Sequence, residues 1–544
     1  MSGPRSGAAN VAPILPLEQR GIGDMLLRQV EARPGAAFLE FPTFSMGWTY
    51  AEFLAEASRI GGGLRGLGLE PGERVGIMLD NRPEYVFTWF GSVLAGTVDV
   101  SINHGLRGAR LSHQLRRGEV RALVCDSESA AAVLDVRDDV PTLETLILTD
   151  GDVRATALRT LDFDSLFDGP AIDRYPSSPK ETTSIRYTSG TTGPAKAVAR
   201  THSALAAHCA HFVWLTEYGP EDTLYTCFPL HHGIASVLGL ITTLLSGGRL
   251  VVDERFSASR YWARIREHEA TLAHVINPLV PILMAQPPSP LDRDHRCTRL
   301  WTATPNAAFE ARFATRPIYF YGLAEGGTIA YTPPGETAPP GASGKASPLF
   351  DLRIVDEDEY PVAPGVKGEI VWRPTEPHVM SPGYVGDPEA TVRAWRGLWF
   401  HSGDAGTMDE RGYLFLAGRM GDQIRRKGVN ISAEEVESAA LEYEAAAEVA
   451  AIAVPSELSE SEVKLCVVPR AGEFDVQRFR GHLAEVLPAE MVPRYVEVRE
   501  ALPRTDTHKI AKAKLRAEGE SGITPATLDF EADRRRPVSG GEGR

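Results

Sequence analysis

Cysteine is scarce in this chain of 544 residues, which contains only Cys125, Cys209, Cys227, Cys297 and Cys466. These five residues lie far apart, their number is odd, and no two of them form a C-x-x-C pair. The sequence therefore offers neither a disulfide framework nor the ligand spacing of a structural zinc site. Cysteine usage of this kind fits a reducing compartment, and we expect a cytoplasmic protein.

Long apolar runs and an excess of basic residues are missing as well. No run of about 18 uncharged apolar residues occurs, and we therefore expect no membrane span. The first residues, MSGPRSGAAN, lack the apolar segment of a signal peptide. There are 57 Lys and Arg against 72 Asp and Glu, a formal net charge of −15, which argues against a general nucleic-acid binder.

The length predicts two or three domains. Strand-like and helix-like segments alternate over residues 74–126 and again over 223–322, which predicts an α/β fold of parallel sheets covered by helices. Hairpin-like segments rich in Gly and Pro follow and predict a β-barrel-like subdomain, and a small α+β pattern comes after it. We expect a flexible tail at 1–15, an N-terminal domain at 16–420, a C-terminal domain at 421–516 and a disordered tail at 517–544.

Residues 48–69, WTYAEFLAEASRIGGGLRGLGL, predict an amphipathic helix with Thr49 as its N-cap. Gly61, Gly63 and Gly66 within this segment match the G-x-G-x-x-G pattern of dinucleotide-binding proteins. That pattern requires a turn between a strand and a helix, whereas these glycines fall at the end of a helix. We therefore do not interpret them as a cofactor site.

The segment YTSGTTGPAKAV, residues 187–198, is rich in Thr, Ser and Gly and contains Lys196. Glycine lets backbone N–H groups turn toward a ligand, while hydroxyls and an ammonium add further donors, and this combination suits phosphate oxygens. The Gly-x4-Gly-Lys-Ser/Thr spacing of a P-loop is not met. The segment therefore predicts a phosphate-binding loop of another kind.

Three further blocks follow along the chain. They are YGLAE at 321–325, HSGD at 401–404 continued by GYLFLAGRMGDQIRRKGVNISAEEVE at 412–437, and PRTDTHKIAKAKLR at 503–516. With the phosphate loop, in this order and spacing, they resemble the adenylate-forming superfamily of acyl-CoA synthetases, luciferases and peptide-synthetase adenylation domains. The resemblance runs from about residue 20 to 516. The stretches FPLHH and IRRKGVNIS are most similar to the branch of crotonobetaine/carnitine-type CoA ligases.

The resemblance implies a large N-terminal domain and a small mobile lid that rotates about a hinge between two half-reactions. It implies ATP, Mg²⁺ and coenzyme A as cofactors and a small-molecule carboxylic acid as substrate. The acid would be activated as an acyl adenylate with release of pyrophosphate, and the acyl group would then pass to the thiol of coenzyme A.

The resemblance also assigns residues to roles. Tyr321 would stack on adenine, Asp404 would accept hydrogen bonds from the ribose hydroxyls, and Arg419 would reach ribose and phosphates. Glu325 would bind Mg²⁺, and Lys509 would bridge the substrate carboxylate and the α-phosphate. The β- and γ-phosphates would contact Thr188, Ser189, Gly190, Thr191, Thr192, Gly193 and Lys196.

The same comparison predicts an acyl pocket, a hinge and a coenzyme A contact. The hinge falls at Gly421, and Gly428 and Arg426 are candidates for coenzyme A binding. The adjacent histidines at 231 and 232 are interpreted as pocket wall, because no carboxylate or third histidine lies at metal-ligand spacing. The pocket residues would be His231, His232, Val237, Thr302 and Gly326.

The chain departs from the family pattern at several places, one of them residues 302–305, where the family usually has a Gly-rich turn on the adenine side. Ala195-Lys196-Ala197 stands for Pro-Lys-Gly, Ala324 for a threonine, and His508 for a glycine before Lys509. These departures leave alternatives open: an acceptor other than coenzyme A, such as an amine or a carrier-protein thiol, or activation of nitrite for diazotisation of an aryl amine. An alternative of another class is a nucleotide-binding protein without catalytic activity.

Overall fold

The structure is a computed structural model that describes residues 14–151, 158–188, 195–275, 279–302, 306–420, 423–426, 429–456, 461–470, 474–487, 491–505 and 509–531. Its helices are α1 (Ile22–Ala32), α2 (Tyr50–Gly66), α3 (Pro83–Ala95), α4 (Gly108–Arg117), α5 (Ser127–Leu134), α6 (His202–Thr216), α7 (Gly233–Ala235), α8 (Thr242–Ser246), α9 (Tyr261–Glu267), α10 (Leu279–Met284), α11 (Ala307–Phe313), α12 (Pro388–Ala394), α13 (Ala433–Leu441), α14 (Val476–Val486) and α15 (Lys512–Ala517).

The strands are β1 (Ala37–Phe41), β2 (Met46–Thr49), β3 (Arg74–Met78), β4 (Val98–Ser101), β5 (Val120–Cys125), β6 (Thr145–Leu148), β7 (Arg159–Asp162), β8 (Thr182–Thr188), β9 (Lys196–Thr201), β10 (Thr223–Thr226), β11 (Arg249–Val252), β12 (Leu272–His274), β13 (Arg299–Thr302), β14 (Arg316–Leu323), β15 (Gly327–Tyr331), β16 (Lys345–Ala346), β17 (Phe350–Val355), β18 (Gly368–Pro374), β19 (Trp395–Arg396), β20 (Trp399–Met408), β21 (Leu414–Arg419), β22 (Gln423–Arg426), β23 (Val429–Ser432), β24 (Ala446–Val454), β25 (Glu462–Pro469), β26 (Tyr495–Val498) and β27 (Leu528–Asp529).

Two large, mostly parallel sheets form the N-terminal part. One has nine strands in the order β16-β15-β14-β13-β12-β10-β11-β1-β2, and the other has seven in the order β7-β6-β5-β3-β4-β8-β9. A continuous apolar core joins them and includes Ile77 of β3, Val251 of β11 and Phe90 of α3. Helices therefore fill the space between two sheets, and the predicted α/β fold is confirmed.

The segment that carries the G-x-G-x-x-G pattern is helix α2, and its start is fixed by a capping box. The side chain of Thr49 accepts from the backbone N–H of Glu52, and the Glu52 carboxylate accepts from the N–H of Thr49. A Cβ at Gly63 of the pattern would lie 2.3 Å from the carbonyl oxygen of Leu166, and one at the neighbouring Gly62 would lie 1.9 Å from that of Pro170. The glycines thus allow a neighbouring loop to pack on the helix, and Thr49 is confirmed as the N-cap.

The expected barrel-like subdomain is an antiparallel sheet of five strands, β17 to β21. Its core contains Trp372 and Phe400. Strands β24 to β27 form the four-stranded sheet of the C-terminal part, against which α13 and α14 pack through Val436 and Leu483.

The predicted tail boundaries are wrong on both sides. Beyond residue 516, β27 pairs with β26, and the buried carboxylate of Glu497 accepts hydrogen bonds of 2.7 Å from the hydroxyls of Thr524 and Thr527. Polar side chains, which in the sequence suggested disorder, here complete a buried network, so the C-terminal fold extends to at least residue 531. At the other end, Ile14 packs against the core of the five-stranded sheet.

All five cysteines are buried free thiols. Within the described part of the chain, no helix is both long and apolar enough to cross a membrane.

Candidate active site

Three residues of the predicted nucleotide site come together where two sheets meet. Strand β14 carries Tyr321, while β20 and β21 carry Asp404 and Arg419 as directly paired residues of an antiparallel ladder. Arg419 Nε lies 2.8 Å from Asp404 Oδ1, and the Tyr321 hydroxyl donates to Oδ2 at 2.6 Å. The carboxylate of Asp404 is therefore held in one orientation from two sides.

The electrostatics of this group follow from burial. Asp404 is 9% exposed, and burial raises the pKa of its carboxyl while the cations Arg419 and Lys509 oppose that rise. Burial also raises the pKa of Tyr321, which remains a neutral donor to Asp404. The result is an acceptor-rich carboxylate beside a guanidinium, which suits recognition of a diol next to phosphates.

Glu325 follows β14 and is 8% exposed. The Tyr384 hydroxyl donates to Glu325 Oε1 at 2.8 Å, and the Glu325 carbonyl accepts from the N–H of Ser381 at 2.7 Å. This carboxylate is thus oriented by a segment about sixty residues further along the chain, at 381–384.

The strands on either side of the phosphate loop, β8 and β9, pair in antiparallel fashion. Thr188, the last residue of β8, pairs with Lys196, the first residue of β9. The ammonium of Lys196 lies 4.7 Å from the ring centroid of Tyr384, a cation–π contact. The predicted loop residues Ser189, Gly190, Thr191, Thr192 and Gly193 lie outside the described residues.

Lys509 is the C-terminal contribution to the site. The carbonyl of Lys509 accepts from the N–H of Thr505 at 2.7 Å, and its N–H donates to the Thr505 hydroxyl at 3.2 Å, so Thr505 holds the backbone of the lysine. Lys509 keeps an exposed surface, yet the surrounding protein lowers the pKa of its ammonium by partly removing it from water. Arg419 lowers that pKa further and Asp404 opposes it, which brings Lys509 into the electrostatic neighbourhood of the nucleotide site.

The residues predicted to line an acyl pocket fall into different environments. The rings of His231 and His232 lie 4.3 Å apart, and neither ring nitrogen of His231 has a partner among the described residues. Val237 is buried. A Cβ at Gly326 would meet Ile329 at 2.3 Å, so the space beside this glycine is core.

Thr302 is the remaining residue predicted to line the pocket. Thr302 ends β13, and the structure describes its backbone only. The described residues contain no group of three or more His, Cys, Asp or Glu that could hold a metal ion.

The prediction that Arg426 contacts coenzyme A conflicts with its position. Arg426 is 4% exposed, and its Nε lies 2.6 Å from Glu462, which is itself 2% exposed. Its guanidinium also donates to the carbonyl of Val492 at 3.2 Å. Arg426 therefore stabilises the interior of the C-terminal part instead of presenting a charge to a ligand. The predicted hinge Gly421, the predicted coenzyme A residue Gly428 and the departure at His508 lie outside the described residues.

Sequence reasoning missed Tyr384, which joins the phosphate-loop lysine to the buried glutamate. Its segment, SPGYVGD, was not singled out, because a tyrosine after a glycine carries no chemical signal of its own. The bridge between Val198 and Tyr384 brings this tyrosine beside β9, together with hydrogen bonds from the N–H of Ala199 to the carbonyl of Gly383 and from the N–H of Val385 to the carbonyl of Ala197.

A large α/β part thus presents a carboxylate–arginine–tyrosine group and a buried glutamate, while Lys509 of a small C-terminal part lies in the electrostatic neighbourhood of Asp404 and Arg419. This arrangement defines a two-part, adenylate-forming type of enzyme. The chain belongs to the family of AMP-binding enzymes: residues 26–385 match the AMP-binding enzyme family, and residues 435–509 match the AMP-binding enzyme C-terminal domain.

Curated relatives agree with this membership. The crotonobetaine/carnitine–CoA ligase of Salmonella paratyphi B is 28% identical over 486 residues, which cover 86% of this chain and 93% of the relative. The same enzyme from Salmonella typhi is also 28% identical over the same coverage.

Solved structures share the fold. An anthranilate CoA ligase in complex with anthranoyl-AMP superposes with a TM-score of 0.82 at 24% identity, over 92% of this chain and 98% of that one. The O-succinylbenzoate coenzyme A synthetase of Bacillus subtilis, in complex with AMP, gives a TM-score of 0.79 at 21% identity, over 92% of this chain and 99% of that one.

Proposed function

We propose that this protein is an AMP-forming acyl-CoA ligase that activates a small-molecule carboxylic acid. The observation that carries the proposal is the geometry of Asp404, whose carboxylate is fixed by Arg419 at 2.8 Å and by the Tyr321 hydroxyl at 2.6 Å, with Lys509 of the C-terminal part in its charge environment. A lysine delivered to a nucleotide site from a separate domain suits a reaction in which negative charge builds on phosphate oxygens.

In the first half-reaction, a carboxylate oxygen of the substrate attacks the α-phosphorus of ATP, and the bond to the β-phosphate oxygen breaks. Lys509 stabilises the charge between the substrate carboxylate and the α-phosphate. Lys196, Thr188 and the loop of Ser189 to Gly193 hold the phosphates that leave as pyrophosphate. Preorganised donors of this kind lower the barrier because they need no reorientation when charge develops.

Nucleoside recognition is assigned to the group around Asp404. Its carboxylate, fixed by Arg419 and Tyr321, accepts from the ribose hydroxyls, and the Tyr321 ring borders the adenine. Since burial and the two partners fix Asp404, little ordering is needed when the nucleotide binds.

Glu325 is the residue that would hold Mg²⁺. It fits this role because it is an oxygen ligand oriented by Tyr384 beside the phosphate-loop lysine, and Mg²⁺ bound to nucleotides takes one or two protein carboxylates plus phosphate oxygens. When bound, the ion would neutralise charge on the phosphate oxygens.

In the second half-reaction, the thiol of coenzyme A attacks the acyl carbon, the thioester forms and AMP leaves. We propose that the lid turns about Gly421 between the two steps and that pantetheine passes Gly428. His231, His232 and Val237 are proposed to border the acyl group. The five buried thiols support a reducing, cytoplasmic location.

The test is pyrophosphate release from ATP and Mg²⁺ with a panel of acids that contains crotonobetaine, anthranilate, O-succinylbenzoate and fatty acids, each with and without coenzyme A. A nitrite arm with an aryl amine completes the panel. Release with one acid class, accompanied by a CoA thioester of that acid, is the expected result. Release without thioester would assign another acceptor, and nucleotide binding without release from any member would overturn the proposal.

A further inference from the structure

A buried arginine lies directly behind the turn that carries the catalytic glutamate. Arg200, in β9, is 5% exposed, and its Nη1 donates to the carbonyl of Ala324. Nε has no partner among the described residues, and no carboxylate of the described chain lies within ion-pair distance of the guanidinium. Burying a charge without a counter-ion is costly, so such a residue calls for a reason beyond packing.

The charge of Arg200 is retained at neutral pH. Burial lowers the pKa of its guanidinium to about 10, and the negative charge of Glu325 opposes that change. The carboxylate of Glu325 therefore interacts electrostatically with the guanidinium of Arg200, although the two do not form an ion pair. The positively charged guanidinium of Arg200 thus contacts Ala324, the residue before Glu325.

The same stretch of chain holds the other end of the turn. His208, on α6, accepts at Nδ1 from the N–H of Thr328 at 2.8 Å and from the Thr328 hydroxyl at 2.9 Å. Its Nδ1 therefore carries no proton, in keeping with the burial and the nearby Arg200, which lower the pKa of this imidazole. Gly327, with φ of +79°, fits directly against the His208 ring, since a Cβ there would lie 2.6 Å from it.

Residues 324–328 are therefore held at the first carbonyl by Arg200 and at the last N–H by His208. Both side chains belong to the segment that continues directly from the phosphate loop through Lys196. Because this turn sets the direction of Glu325, the segment couples the placement of the phosphate-binding lysine to that of the glutamate.

We propose that Arg200 is a positioning residue for nucleotide activation, and that it fixes the Ala324–Glu325 turn through the Ala324 carbonyl so that Glu325 presents its free carboxylate oxygen to Mg²⁺·ATP. The guanidinium of Arg200 lies beside Ala324, a residue whose own side chain has no donor. The inference rests on the proposed function only for the role of Glu325. It concerns metal-dependent nucleotide binding and does not depend on the acid or the acceptor.

The test compares Arg200→Met, Arg200→Lys and the matched control Arg20→Met. Arg20 is likewise buried, at 4% exposed; it donates from Nε to the carbonyl of Leu15 at 2.7 Å and from Nη1 to the Ser203 hydroxyl at 3.1 Å, but it makes no hydrogen bond to the 324–328 turn. Binding of ATP is measured by titration calorimetry across a series of Mg²⁺ concentrations, and thermal unfolding is recorded for each variant.

Arg200→Met is expected to raise the Mg²⁺ concentration needed for half-maximal ATP binding by about 10-fold, the effect expected when a charge-assisted hydrogen bond that orders a ligating turn is lost. Arg200→Lys, which keeps the charge, is expected to recover part of this shift. Arg20→Met should lower the unfolding temperature without changing the Mg²⁺ dependence. An unchanged Mg²⁺ dependence in Arg200→Met would overturn the inference.

The two failures can be told apart. If wild-type protein binds Mg²⁺·ATP but releases no pyrophosphate with any acid, the proposed ligase function fails while the binding series still decides the role of Arg200. If pyrophosphate is released but Arg200→Met and Arg20→Met behave alike in the binding series, the function stands and Arg200 serves only packing.

Discussion

The Tyr384 hydroxyl donates a 2.8 Å hydrogen bond to Glu325, while the face of the same ring lies 4.7 Å from the ammonium of Lys196. One side chain therefore contacts both the phosphate-loop lysine and the glutamate expected to bind the metal. Tyr384 comes from neither motif, and its removal should affect the two groups together.

Tyr384→Phe keeps the ring beneath Lys196 and removes only the donor to Glu325. A hydrogen bond to a charged acceptor is worth about 1.5–3 kcal/mol, so we expect the KM for Mg²⁺·ATP to rise by about 10-fold or more. Steady-state pyrophosphate release as a function of ATP and Mg²⁺ measures this change.

The chain supplies a close control for that variant. The Tyr413 hydroxyl donates to Glu336 at 2.7 Å, and Lys345 lies 4.8 Å from its ring. This second lysine–tyrosine–glutamate group lies apart from the nucleotide site, so Tyr413→Phe should leave the KM unchanged. Equal effects of the two variants would show that Tyr384 acts through stability alone.

Lys509→Ala is expected to reduce acyl-adenylate formation by about 100-fold or more, because it removes the ammonium that offsets charge in the first half-reaction. Thioester formation from preformed acyl adenylate and coenzyme A should continue. Single-turnover assays of the two half-reactions separate these effects, with the exposed Lys514→Ala as control. Equal loss of both half-reactions in Lys509→Ala would contradict the assigned role.

Truncation after residue 517 should destabilise the C-terminal part, whereas truncation after residue 531 should not. The longer deletion removes β27, the Thr524 and Thr527 donors to Glu497, and the Gly522 carbonyl that accepts from the buried ammonium of Lys464 at 2.5 Å. Losing several buried hydrogen bonds costs about 3 kcal/mol or more. Hydrogen exchange of β24 to β26 reports this loss, and equal protection in both truncations would refute it.

Acid should destabilise the N-terminal part well before its carboxylates are protonated. Burial lowers the pKa of His202 and His211 to about 4, from an ordinary 6.5. These side chains stay neutral in the folded state, while the unfolded chain takes up protons near pH 6.5. Stability is therefore full above pH 6.5 and falls as the pH drops from 6.5 to 4, by at most about 1.4 kcal/mol per pH unit for each histidine.

His211→Asn tests that contribution, because the amide can replace the imidazole nitrogen that lies 3.1 Å from the Ser347 hydroxyl. Its unfolding free energy should depend less steeply on pH between 6.5 and 4 than that of the wild type. The exposed His378→Asn should show the wild-type slope. The same slope in all three proteins would mean that His211 does not contribute.

The sequence was informative where chemistry is local. Thr49 before an amphipathic run predicted the start of α2, and the order of motifs predicted that Asp404, Arg419 and Tyr321 would meet. The sequence was uninformative where a partner is distant. The basic cluster around Arg426 suggested a ligand contact, because no nearby residue indicates that Glu462 neutralises this arginine. Composition misled at 518–531, since buried polar networks use the same residues as disordered tails.

The charges of Lys509 and Asp404 have a thermodynamic consequence. Displacement of Lys509 would remove a cation from Asp404 and so raise the pKa of that carboxyl, and it would also relieve the burial and the repulsion by Arg419 that lower the pKa of the lysine. Linkage is reciprocal, and the proton concentration must therefore act on the equilibrium between closed and displaced lids. Displacement of the proposed lid is therefore expected to be accompanied by proton uptake at Asp404 and Lys509, and a lower pH is expected to favour it.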